Sequence, residues 1–157
     1  MFETEMNATN NQTERFVSIQ GFFAFEYPSS WKNEIDEAGH YIFFNENGGS
    51  GVIRVMILPN EFTGPEAATN MTQEILNQNK DFGAHTLDDC RVPVVGFTKI
   101  HSINGSEFTV IYYAATSSNS TILLTYTVQT MMKEMDMSFV EQNDMIKLVR
   151  SFEWLSQ

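Results

Sequence analysis

Phe97-Thr98-Lys99-Ile100-His101-Ser102-Ile103 and Glu107-Phe108-Thr109-Val110-Ile111-Tyr112-Tyr113-Ala114-Ala115 are two apolar-rich runs that meet across Asn104-Gly105-Ser106. Asn-Gly tolerates the positive φ that a two-residue turn demands, so the pair is predicted to be a β-hairpin. A second turn, Ser117-Ser118-Asn119-Ser120, leads into a strand with Ile122, Leu124, Tyr126 and Val128 on one face and Thr125, Thr127 and Gln129 on the other. Connections this short join antiparallel neighbours.

Upstream, Phe16-Val17-Ser18-Ile19 and Phe22 to Tyr27 read as short strands around Gly21, with Phe23, Phe25 and Tyr27 sharing a face. Pro28-Ser29-Ser30 ends the second, and Trp31 follows. Asn33 to Glu37, His40 to Asn45 and Val52 to Leu58 are further strands, separated by turns at Ala38-Gly39 and Asn47-Gly48-Gly49-Ser50-Gly51. His40 to Asn45, apolar on both faces, is expected at the sheet centre. Thr63-Gly64-Pro65-Glu66 and Ser138-Phe139-Val140-Glu141 each place a hydroxyl three residues before a carboxylate, the capping-box signature of a helix start. The first helix would bury Ala68, Met71 and Ile75 and stop at Gly83; the second would bury Phe139, Ile146, Val149 and Phe152. Strands, helix, strands, helix is an α+β order, an antiparallel β-sheet flanked by helices.

Phe23-Ala24-Phe25-Glu26-Tyr27-Pro28-Ser29-Ser30-Trp31 resembles the opening segment of small proteins with the PsbP-like fold, including small bacterial members of unknown function. The later hairpins with Tyr112-Tyr113 and Leu124-Thr125-Tyr126, and the closing helix from Ile146 to Phe152, are similar in order and spacing. The resemblance covers Phe16 to Trp154 and implies an α/β/α sandwich in a non-enzymatic family that shares no catalytic motif. It carries over no functional residue.

At 157 residues and 17.9 kDa, the chain is sized for one domain. The polar run Met1 to Glu14 is expected to be a flexible tail, and 15–157 a single PsbP-like domain. With 42% hydrophobic and 13% aromatic residues there is material for a core. Nine basic against 20 acidic residues give a formal charge of −11, which opposes nucleic acid and anionic lipid as partners. No window supplies a membrane span. A single cysteine excludes a disulfide framework and a cysteine-rich zinc site. The first fourteen residues lack a signal sequence, so a cytoplasmic location is expected if Met1 is the natural start, and the envelope if a leader was removed.

Chemistry-bearing residues are sparse. Cys90 stands near His85, Asp88 and Asp89, but adjacent carboxylates disfavour a thiolate, and it is read as structural rather than nucleophilic. Glu34, Asp36, Glu37 and His40 are the densest set of hard-metal donors, and are read instead as charges guarding an edge strand. Asn45-x-Asn47-x-Gly49 lacks a twelfth-position carboxylate, because Met56 stands there. Gly48-Gly49-Ser50-Gly51 has neither the Lys of a phosphate loop nor the second Gly of a nucleophile elbow. His101 is read as a solvent-facing strand residue. No catalytic residue, cofactor or metal is expected.

Methionine placement says more: Met131, Met132, Met135, Met137 and Met145 lie between the last strand and the final helix. The spacing of the first four fits neither a helix face nor a strand face. Some of Met131, Met132, Met135 and Met137 are therefore expected to face outward, rimmed by Lys133, Glu134 and Asp136, as a partner-binding lip. The function expected is a non-enzymatic protein-binding module, monomeric or weakly dimeric. A cytoplasmic chaperone or immunity partner of a secreted effector is one alternative, and a small-ligand carrier or an enzyme using Cys90 another.

Overall fold

A computed structural model describes residues 12–47 and 49–155. Among the described residues there are ten strands and two α-helices. A three-stranded sheet, in the order β1-β2-β10, contains β1 (Thr13–Val17), β2 (Phe23–Pro28) and β10 (Glu153–Trp154). A seven-stranded sheet runs β3-β4-β5-β9-β8-β7-β6 and contains β3 (Lys32–Ile35), β4 (Tyr41–Phe44), β5 (Gly51–Pro59), β6 (His85–Thr86), β7 (Val94–Ile103), β8 (Ser106–Thr116) and β9 (Ser120–Gln129). Every strand pair is antiparallel. Helix α1 (Ala67–Gln78) follows β5, and α2 (Asp136–Ser151) follows β9. The expected α+β class is the one observed.

The Asn104-Gly105 turn is as predicted: both residues have positive φ, 51° and 83°, and Ile103 faces Ser106 across it. Other expectations are corrected. Thr13 and Glu14, placed in the tail, begin β1 and pair with Pro28 and Tyr27, while residues 1–11 lie outside the described residues. β4 is second from an edge, and β9 takes the centre because β5 and β8 both pair with it. Helix α1 starts at Ala67 without a side-chain cap, since Gly64, at φ 92°, turns the chain before the helix begins. It buries Ala67 and Met71 and leaves Ala68 and Ile75 half-buried.

The helices lie on opposite faces of the large sheet. Thr72 of α1 shares a 2.8 Å hydroxyl–hydroxyl hydrogen bond with Thr116, whereas α2 reaches Tyr126. Tyr126 pairs with Ile111, and residues 111 and 116 of one strand point to opposite faces. The core lies on the α2 side. There the small sheet and α2 cover Tyr41, Phe43, Ile53, Val55, Leu124 and Tyr126. Ring contacts knit the layers together: Phe25 to Phe43 at 5.3 Å, Phe23 to Phe152 at 5.5 Å and Phe152 to Trp154 at 5.1 Å between centroids. Among the described residues no helix is long and apolar enough to cross a membrane.

Trp31 completes the tight turn after β2, its amide donating to the Pro28 carbonyl at 3.0 Å, and its indole is 7% exposed within the core. Trp31→Ala is expected to cost about 3–5 kcal/mol in denaturant unfolding, as the removal of a large buried aromatic does. A loss under about 1 kcal/mol would contradict this placement.

Candidate functional site

The second half of the chain turns on a carboxylate that the sequence pattern assigned to a helix cap. Helix α2 begins at Asp136 with Met135 as its uncapped N-cap, so Ser138 and Glu141 lie inside the helix. Both are buried, Glu141 at 2% exposure. Its carboxylate accepts the backbone N–H of Ser50 at 3.1 Å and of Gly51 at 2.9 Å, and the Tyr126 hydroxyl donates to its Oε1 at 2.7 Å. Ser138 Oγ lies 3.3 Å from that hydroxyl. The glycine stretch rejected as a phosphate loop does hold an anion through its amides, and the anion is the protein's own. A Cβ on Gly51 would come within 2.5 Å of the Tyr126 ring, and one on Gly49 within 2.7 Å of Glu141 Oε2. Burial pushes the Tyr126 phenol far above its ordinary value; the Ser138 bond lowers it, and the Glu141 bond and charge raise it further.

Beside this lock a groove of about 560 Å³ runs between the end of β2 and α2. Tyr27, Pro28 and Trp31 form one wall; Met137, Val140, Asp144 and Lys147 form the other. Tyr27 donates its hydroxyl proton to Glu14 at 2.9 Å and accepts from Asn33 Nδ2 at 3.2 Å, which fixes the aromatic wall. Burial raises the Asp144 carboxyl pKa; Lys147 lowers it and Glu141 raises it.

The structure divides the four methionines. Met131 is 85% exposed and borders a hollow of about 410 Å³ at the Gly105 turn; Met135 is exposed at the start of α2, and Met137 forms part of the groove wall. Met132 packs against the core, and Met145 is inside it. Phe139 was expected in the buried stripe and is instead 49% exposed, beside exposed Val140. Those two residues belong to the outward apolar surface, and a capping-box reading hides them.

The remaining candidates are placed apart from this surface. Cys90 is partly buried against the core, and burial pushes its thiol pKa up; Arg150 lowers it, and Asp89 and Asp88 raise it. The His85 ring bonds the Gly83 carbonyl at 2.9 Å rather than the thiol. Asp36 Oδ1 accepts the N–H groups of Ala38 and His40, both at 2.9 Å, which holds its carboxyl below the usual range. His40 and Arg54 approach its other oxygen at 3.5 and 4.0 Å, so Asp36 closes a turn. His101 is exposed and bonds Tyr112 at 3.0 Å. Among the described residues no three His, Cys, Asp or Glu side chains are grouped to hold a metal ion.

Fold and surface together define an antiparallel α+β domain with an apolar strip beside a groove. The chain belongs to the family DUF3805, a domain of unknown function, which it matches over residues 11–147. It is similar to a crystal structure from Bacteroides thetaiotaomicron at 17% identity and a TM-score of 0.71, covering 91% of this chain and 48% of that one. The chain thus spans about half the length of that protein. It is also similar to LpqN of Mycobacterium tuberculosis, described as involved in cell envelope biogenesis, at 10% identity and a TM-score of 0.57, covering 97% and 96% of the two chains. Cyanobacterial PsbP (CyanoP) from Synechocystis aligns at 11% identity and a TM-score of 0.47, over 90% of this chain and 92% of its own. These likenesses are of fold alone. No curated protein matches the chain.

Glu141→Ala would leave two amides and a phenol without their acceptor, and is expected to cost about 3–5 kcal/mol of unfolding free energy. Glu141→Gln keeps one acceptor oxygen and should lose about 1–3 kcal/mol. Equal stability of both variants and the wild type in urea would refute the lock. Above pH 10 the unfolded chain gives up the Tyr126 proton while the folded chain keeps it. The folded state then binds more protons, so stability falls as pH rises. Melting temperature is expected to drop between pH 10 and 11.5, and more shallowly in Tyr126→Phe; parallel curves would remove Tyr126 as a cause.

Proposed function

We propose that this domain is a non-enzymatic protein-binding module and that residues 131–140 with the adjoining groove are its contact surface. The observation that carries the reading is the crowding of five exposed apolar side chains, Met131, Met135, Met137, Phe139 and Val140, into ten residues. Monomeric surfaces scatter such residues singly, and five of them within ten residues of sequence, interleaved with charge, favour a contact. Lys133, Glu134 and Asp136 supply the rim. Methionine contributes flexible, polarizable contact area that adapts to a partner, and the groove beside Trp31 is sized for an anchoring side chain. A charge of −11 favours a partner whose own rim is basic.

The test is capture from the native host with wild type and with a Met135→Ser, Val140→Ser double variant, followed by titration of the purified captured protein against both. The double variant is expected to bind at least about tenfold more weakly, about 1.4 kcal/mol, with an unchanged melting temperature. Equal affinity in the two titrations would move the contact off this surface.

A further inference from the structure

The outer edge of the large sheet presents a different kind of surface. In the hairpin closed by Asn104-Gly105, Ile103 and Ser106 are the hydrogen-bonded pair next to the turn. Alternation along an antiparallel ladder then points the backbone groups of His101, Lys99 and Phe97 toward β8, and those of Ser102, Ile100 and Thr98 outward. The other end of the strand agrees with this parity, because the Leu87 amide donates to the outward carbonyl of Val94 at 2.9 Å. Strand β6 covers the edge as far as Gly96 and stops. Three N–H and three C=O groups beyond it, on Thr98, Ile100 and Ser102, are taken by no strand or loop among the described residues.

Proteins guard such edges with proline, bulges, short strands or charge. Thr98 to Ile103 has none of the first three, and Ile100 is 61% exposed. Lys99 sits on the opposite face with its ammonium 4.8 Å from the Phe82 ring centroid, and among the described residues it forms no ion pair with a carboxylate. In a chain of net charge −11, β7 carries Lys99 and His101 and no acidic residue.

We propose that this edge accepts an extended protein segment as an added antiparallel strand, and that the segment alternates carboxylate with apolar side chains. Opposite Lys99 and His101 the added strand places two residues on one face, where carboxylates meet the lysine ammonium. Opposite Ile100 it places one on the other face, where an apolar group covers the isoleucine. A second copy is the poorer occupant: pairing β7 with itself about Ile100 sets lysine against histidine and brings together two chains that each carry −11.

The probe is a blocked hexapeptide of alternating glutamate and valine, compared with one of alternating lysine and valine. Titration is followed by amide hydrogen exchange at Thr98, Ile100 and Ser102. The acidic peptide is expected to slow exchange at these three amides, and the basic peptide to bind at least about tenfold more weakly. Ile100→Pro removes an outward N–H at an edge position where proline is tolerated, so it should keep the melting temperature and weaken the acidic peptide at least about tenfold. Lys99→Glu should reverse the preference between the peptides, and decides the matter alone if Ile100→Pro fails to fold. Absence of protection by the acidic peptide, or unchanged binding to folded Ile100→Pro, overturns the proposal. Self-association of the wild type that Ile100→Pro abolishes overturns it in favour of a second copy.

Discussion

The carboxylate of Glu141 holds the second helix to the sheet. It is an anion taken out of water, and it is tolerable there because the amides of Ser50 and Gly51 at the start of β5 and the phenol of β9 converge on it. The three donors come from the residue before β5, the first residue of β5 and β9, and β5 and β9 are neighbours in the sheet and distant in sequence. One side chain therefore ties the helix, the glycine loop and the sheet centre into a single unit. Close packing around that contact explains glycine at 49 and 51, where any side chain would collide with the carboxylate or the Tyr126 ring.

Burying polar residues on α2 has a geometric cost at its start. Ser138 and Glu141 face the sheet together with Met145, Leu148 and Val149, so the intervening positions 139 and 140 rotate away from it by the 100° step of the helix. Those positions hold phenylalanine and valine. The apolar strip and the polar lock are thus two sides of one helical turn, and the groove against Trp31 exists because that turn is held at a fixed distance from β2.

Local chemistry was legible in the sequence where it decides structure alone. Asn104-Gly105 needs no distant partner to make its turn, and the alternation of Ile122, Leu124, Tyr126 and Val128 shows a buried strand face directly. The second capping box misled because Ser138 and Glu141 have the right spacing for a local exchange of hydrogen bonds, but tertiary donors outcompete the helix end. Phe139 was lost with them, since placing the helix start at Ser138 turns the apolar stripe by the wrong angle. Methionine spacing did show that part of the lip faces solvent. It could not show that Met132 alone of the four packs inward, because that depends on how the turn after β9 folds back.

Strand β10 is two residues long, yet it supplies the second neighbour of β2, and Glu153 within it joins Arg15 of β1 and Arg91 of the loop before β7. Phe152 and Trp154 bring their rings to Phe23 from the same side. The small sheet that roofs the core is therefore assembled from residues 13–28 and 153–154, far apart in sequence. During synthesis the large sheet can zip through its local hairpins as it emerges, while the Phe23 ring stays partly uncovered until Phe152 and Trp154 follow. Closing the roof therefore depends on contacts between segments far apart in sequence, the slowest kind to form.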